Sequence, residues 1–217
     1  MTTRIIIARH GNNFTKEQTP LRVGARTDLP LVETERGTNI GKYLKMRTLI
    51  PAVVFAAPLK RTTETARLAI AALDKDIPLM ADSRFTEIDY GPDEGKPETE
   101  VVARVGQEAM DAWEREAIVP AGWNVSVDAI IKAWKDFAAE VERDYKDKTV
   151  MVVSSNGIIR FAPHLTGNFK KFSEEFDIKV GTGGVCILEK EDGDAYWTVK
   201  EWGIKPKDKL TDAVKSH

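Results

Sequence analysis

Short, unbroken apolar runs alternate along this chain with stretches in which apolar positions recur every three or four residues. Ile5-Ile6-Ile7-Ala8 is continuous and mostly β-branched, the pattern of a strand buried on both faces. Ala52-Val53-Val54-Phe55-Ala56 and Thr149 to Ser154 repeat it, and a shorter strand is predicted near Ile77 to Met80. Helical spacing runs from Thr34 to Leu49, with Ile40, Tyr43 and Leu44 along one side and Pro51 as the stop. A second helix is predicted from Pro58 to about Leu73, proline being well suited to a helix start. Glu98 to Glu116 reads as one charge-rich helix. Val127 to about Tyr145 reads as another, with Ile130, Ile131, Trp134, Phe137 and Val141 on one face. Ser155-Asn156-Gly157 forms the exit of the Thr149 strand, before a helix predicted from Ile158 to Leu165. Gly184 to Glu189 and Tyr196 to Glu201 flank Asp192-Gly193, a hairpin signal, and Lys205 to His217 reads as a polar tail.

Alternating strands and helices predict an α/β fold, a three-layer α/β/α sandwich with a mostly parallel sheet covered on both faces. A length of 217 residues suits one domain over 1–217, with a helical lid insertion at about 92–125. The 32 basic and 34 acidic residues leave a net charge of −2, which gives no electrostatic case for nucleic acid or an anionic membrane. Anion recognition must then come from a few local arginines. The single cysteine, Cys186, excludes an intramolecular disulfide and a CxxC site, and reads as a buried strand thiol. No apolar run approaches the ~20 residues of a membrane span, and no signal-peptide pattern follows Met1. A cytoplasmic protein is expected. Three histidines without HxH or HExxH spacing argue against a metal, and no cofactor is expected.

The chemistry begins at Arg9-His10-Gly11, directly after the first strand. Adjacent Arg and His are costly to bury, so they belong in a cleft, and strand ends are where open α/β sheets bind ligands. On a regular strand the two would face opposite sides, so the chain must leave strand geometry there, which Gly11 permits. A neutral imidazole attacks phosphorus through one nitrogen when the other is held as N–H, which makes His10 a candidate nucleophile. Arg9 and Arg61 offer forked, permanently charged donors for phosphoryl oxygens. The long Asn12 to Leu31 segment, with Pro20, Gly24 and Pro30, reads as a functional loop. Arg22 and Arg26 within it either meet a substrate anion or are solvated.

Five ordered pieces of the chain resemble the histidine phosphatase superfamily, of phosphoglycerate mutase-like fold. They are Ile5 to Gly11, Val23 to Leu31, Ala57 to Ala66, Phe85 to Gly95 and Val152 to Arg160. The resemblance implies a phosphohistidine intermediate on His10 and proton donation to the leaving group by Glu87. Asn12 and Asn13 offer donors to phosphate, with Gly24 beside them in the first loop, although a threonine often stands at the position of Asn13. Asp89, Asp93 and Glu94 read as solvated loop carboxylates, and Arg160 as a structural partner in the site wall. The family usually carries Ser-His-Gly-Gly where this chain has Ser154-Ser155-Asn156-Gly157. Keeping Arg160 in register puts Ser155 in the place of the second histidine; a one-residue slip puts Asn156 there. Gly181-Thr182-Gly183-Gly184 precedes a strand and reads as a turn. His164 reads as packed, and Trp113, Trp123 and Trp134 as lid and core packing.

The function implied is a phosphoric-monoester hydrolase, acting on a small phosphorylated substrate or a phosphoprotein, with activity lowered by the missing imidazole. The alternative is a pseudoenzyme that binds phosphate esters or protein. A mutase-type phosphotransferase is a minor alternative, because Lys96 to Trp123 lacks a basic, bisphosphate-clamping insertion. A homodimer is compatible with the sequence.

Overall fold

The structure is a computed structural model that describes residues 1–215. His217, read as the end of the tail, lies outside the described residues. The strands are β1 (Thr2–Arg9), β2 (Val53–Ala56), β3 (Leu79–Ala81), β4 (Thr149–Ser154), β5 (Val185–Glu191) and β6 (Thr198–Ile204). They form one sheet in the order β3-β2-β4-β1-β5-β6. The first four in that order run parallel, and β5 and β6 close the other side antiparallel. The expected mostly parallel α/β/α sandwich is what forms.

The period of two along the strands sends neighbouring side chains to opposite layers. Ile5, Ile7, Phe55, Val150 and Val152 pack with Trp134, Phe137 and Val141 of α5 (Val127–Asp144). Ile6, Ala8, Val54, Met151 and Val153 pack with Ile40 and Leu44 of α1 (Glu35–Met46) and with Ala66 and Ala69 of α2 (Lys60–Leu73). Cys186 is buried on β5, and burial pushes its thiol up to about 12. Both faces of β1 and β4 are therefore covered, which is why these strands read as unbroken apolar runs. Their ends lie side by side in the middle of the sheet.

The departures from expectation have local causes. The predicted helix over 98–116 is two, α3 (Glu98–Val105) and α4 (Gln107–Glu116), because Gly106 between them sits at φ +88°. After β4 a four-residue α6 (Asn156–Ile159) gives way to a 3-10 turn over Ala162–Thr166. Pro163 lacks the N–H that a longer α-helix needs there. A helix not anticipated from the sequence, α7 (Phe169–Glu175), starts at Asn168, whose side chain accepts from the Lys171 N–H at 3.0 Å. The tail is also corrected. Pro206–Lys215 is a helix, α8, packed on α1 and joined to it by a Lys207–Glu35 ion pair of 2.9 Å. Its composition is polar because only one side meets protein. No helix of the described residues is long and apolar enough to cross a membrane.

Candidate active site

The ends of β1 and β4 build the site. Arg9 pairs with Ser154 across the parallel ladder, and the next residue, His10, donates its backbone N–H to the Ser154 carbonyl at 3.1 Å. The chain then turns out of the sheet. Gly11 N–H donates to Thr65 Oγ1 of α2 at 3.0 Å, and Gly183 N–H reaches the Arg9 and His10 carbonyls at 3.1 and 3.0 Å. The Gly181 to Gly184 turn, read from sequence as a mere connection, thus braces Arg9-His10. This departure from strand geometry lets both side chains line one cleft of about 570 Å³.

The His10 ring is buried, and its Nδ1 lies 2.7 Å from the Gly11 carbonyl. A carbonyl only accepts, so Nδ1 carries the proton and Nε2 holds a free lone pair. Burial, and then the charges of Arg9 and Arg61, hold the His10 pKa well below the usual histidine range. The ring is neutral at pH 7. Its NMR resonances are expected to titrate well below pH 6.5, and a midpoint at the ordinary value would contradict the site's electrostatics.

Arg9 Nη1 donates to the Val180 carbonyl at 2.6 Å, while Arg9 Nε is buried without a partner. Arg61 is fully buried. Its two terminal nitrogens donate to the carbonyls of Thr27 at 2.8 Å and Gly24 at 3.3 Å, and its Nε is also without a partner. Burial lowers the pKa of both arginines, opposed chiefly by the charge of Glu87, and neither is ion-paired among the described residues. A half-buried and a fully buried cation without an ion pair are costly unless an anion joins them.

Glu87 is buried in the same wall. Its Oε1 accepts from Ile88 N–H at 2.9 Å, and its Oε2 from the Tyr90 hydroxyl and Gly157 N–H, each at 3.3 Å. A Cβ on Gly157 would lie 2.3 Å from Glu87 Oε1, so glycine is what lets the carboxylate sit there. Gly24 is similarly confined, since a Cβ would come within 2.6 Å of Glu94 Oε2, and its contribution to the site is the carbonyl that holds Arg61.

Ser155 follows Ser154 at the end of β4, as His10 follows its partner Arg9 at the end of β1, and it is not among the residues that line the cleft. It is fully buried, and its Oγ has no partner. Asn156 lines the cleft, with its Oδ1 accepting from Val180 N–H at 2.9 Å. Asn13 also lines the cleft, but its NH2 donates to the carbonyls of Pro30 at 2.8 Å and Leu29 at 3.3 Å. It braces the first loop, and its donors are not free for phosphate as the sequence suggested. Arg22 pairs with Glu98 and stacks on Tyr90 and Trp123, each ring 5.1 Å away, whereas Arg26 turns outward to Asp89 at 3.1 Å.

Two carboxylates read as solvated are buried instead. Asp93 accepts from Arg104 Nε at 2.6 Å and Trp123 Nε1 at 2.7 Å, and Glu94 Oε1 from Arg26 N–H at 2.6 Å and Thr27 Oγ1 at 2.8 Å. Arg160 is buried over the Trp113 ring at 3.7 Å and donates to the Trp113 carbonyl. Trp113 stacks edge-on with Trp123, while Trp134 belongs to the α5 core, and His164 lies stacked at 4.3 Å on Phe169. Lys179, paired at 2.9 Å with Glu114 of α4, completes the mouth. Sequence reading missed Thr65 and Val180. No residue-type signal marks them, because Thr65 serves through one hydroxyl and Val180 through its backbone.

The profile of the histidine phosphatase superfamily (branch 1) matches residues 5–205. The 2,3-bisphosphoglycerate-dependent phosphoglycerate mutase of Bifidobacterium longum is 33% identical over 124 residues, covering 55% of this chain and 49% of that protein. A second such mutase, from Gloeobacter violaceus, is 26% identical over 156 residues, or 70% of each chain. The chain spans about half the length of the first curated relatives it matches. Among solved structures, phosphoglycerate mutase from Bacillus anthracis superposes with a TM-score of 0.76 at 22% identity, covering 95% of this chain and 97% of that one. Mycobacterial glucosyl-3-phosphoglycerate phosphatase gives 0.73 at 19% identity, covering 94% and 99%. These last two likenesses establish the phosphoglycerate mutase-like fold. With the profile spanning nearly the whole chain, the protein belongs to the histidine phosphatase superfamily, branch 1.

Proposed function

We propose that the protein is a phosphoric-monoester hydrolase that works through a phosphohistidine on His10. One observation carries this reading: a neutral imidazole with Nε2 free lies in the field of two guanidiniums, half-buried Arg9 and fully buried Arg61, that have no ion pair among the described residues. In the first step Nε2 attacks phosphorus while the P–O bond to the leaving group breaks, and Glu87 gives its proton to the departing oxygen. In the second, Glu87 takes a proton from water as that water attacks phosphorus, the P–N bond breaks, and phosphate leaves. Arg9 and Arg61 neutralise the phosphoryl oxygens throughout, which is most of what phosphoryl transfer requires. In this reading the unpartnered Ser155 hydroxyl, directly after β4, donates the hydrogen bond that an imidazole supplies in the family pattern. A neutral donor there lowers the rate without abolishing the route.

Incubation with an aryl phosphate is expected to give turnover and a phosphoenzyme that is stable in base and labile in acid. Phosphate binding without turnover or phosphoenzyme would overturn the hydrolase and leave the pseudoenzyme, which the absence of an imidazole at Ser155 favours. A small phosphorylated compound fits a cleft of about 570 Å³, and a phosphorylated side chain would enter by the same mouth.

Proton donation by Glu87 has its own signature. Glu87→Gln keeps the size of the side chain and removes the transferable proton, so alkyl phosphates should lose about 10²–10³ in kcat. Aryl phosphates, whose leaving groups need little protonation, should lose far less. Equal losses on the two substrate classes would reduce Glu87 to a structural carboxylate.

A further inference from the structure

Val180 meets the site from the segment that connects α7 to β5, and it makes two hydrogen bonds there. Its carbonyl accepts from Arg9 Nη1 at 2.6 Å, and its N–H donates to Asn156 Oδ1 at 2.9 Å. With no ion pair among the described residues and with Nε unpartnered, the Arg9 guanidinium takes its angle from that one carbonyl. The neighbouring bonds do a different job. Gly183 N–H holds the Arg9 and His10 carbonyls, and Thr182 Oγ1 donates to Asn12 Oδ1 at 2.6 Å, so these fix the main chain and the first loop. None of them reaches the guanidinium.

The segment carrying Val180 has no helix or strand of its own between Phe176 and Gly184. A carbonyl on such a stretch holds an angle only if something rigid holds the residue. Asn156 is rigid: it opens α6 directly after β4, is 8% exposed, and its own carbonyl accepts from Arg160 N–H at 3.2 Å. Its carboxamide oxygen therefore ties the loop to the end of the central strand.

We propose that Asn156 is a positioning residue, whose oxygen latches Val180 and through it sets the angle at which Arg9 meets the phosphoryl group. The consequence for catalysis rests on the hydrolase reading; the latch itself does not. A forked donor binds two phosphoryl oxygens only when its plane is aligned, so a loosened Arg9 forfeits much of its contribution.

Two variants separate the latch from general damage. Asn156→Ala removes the acceptor for Val180 N–H, while Asn156→Asp keeps an oxygen in the same place. In Asn156→Ala, exchange of the Val180 amide hydrogen should accelerate and the Arg9 Nε–Hε resonance should shift; in Asn156→Asp the Val180 amide should stay protected. Inorganic vanadate should bind Asn156→Ala roughly 10- to 100-fold more weakly than the parent. In an Arg9→Ala background the same change should cost less than about twofold, because the two effects run through one group. Equal losses in both backgrounds, or an unmoved Arg9 resonance, would overturn the latch. If the parent bound no vanadate, the hydrolase reading would fail, and the Val180 and Arg9 signals alone would decide the latch.

Discussion

Alanine at His10 is expected to bring turnover of any phosphomonoester down to the buffer background, a loss on the order of 10⁴–10⁶. The size follows from the role. No other described side chain in the cleft offers a neutral nitrogen held in one tautomer, so removing the ring removes the covalent route and not merely a contact. The fold should survive. The ring makes one hydrogen bond, to the Gly11 carbonyl, whose loss costs about 1 kcal/mol, and the main chain of Arg9-His10-Gly11 is held independently through Ser154, Thr65 and Gly183. Near-UV circular dichroism and a thermal melt check the fold, and a discontinuous phosphate-release assay checks the rate. Parent-like turnover by the variant would remove His10 from the mechanism.

Arg61→Lys should cost about 10²–10³ in kcat/KM, as losing an oriented oxyanion donor does. The charge is kept, so electrostatics alone cannot explain such a loss. What disappears is the fork. Arg61 spends its terminal nitrogens on the carbonyls of Thr27 and Gly24, fixing the first loop, and still has Nε buried without a partner. A lysine ammonium is a point charge on a flexible stem and cannot bridge both carbonyls and an anion in one plane. Vanadate affinity should fall together with the rate. Normal affinity and normal turnover would mean that the buried guanidinium is a loop brace alone.

Much of this site was legible before the structure because its chemistry depends on residue type. Arg9, His10 and Arg61 are costly to bury and sit at the ends of readable elements, so sequence reasoning could single them out, and Arg9 and His10 line one cleft. At Asn13 the residue type permits a phosphate contact, while the carbonyls of Leu29 and Pro30 hold its donors. Asp93 and Glu94 looked solvated for the same reason: a loop rich in Gly and Pro gives no sign that Arg104, Trp123 and Thr27 will close over two carboxylates. The helix over 206–215 was hidden by one-sided packing, and the break at Gly106 by a helical pattern that continues across it. Val180 was out of reach altogether. A valine that acts through its own amide and carbonyl leaves no mark on composition or periodicity.

The central position of β1 also governs the order in which the molecule can be assembled. Its two partners in the sheet are β4 and β5, so one edge stays open until the chain has been made through about residue 154 and the other until about residue 191. Until then Ile5-Ile6-Ile7-Ala8 is an apolar strand with unsatisfied backbone on at least one side, the kind of segment that pairs with other chains. The bonds that finish the cage close some of the longest loops in the fold: Arg9 to Val180 spans 171 residues and Asn12 to Thr182 spans 170. Contacts so distant in sequence are slow to form. An assembly intermediate with β2, β3 and β4 already paired would therefore hold a sheet and a core but no anion cage, and capture of vanadate during refolding would report the docking of β1 rather than collapse.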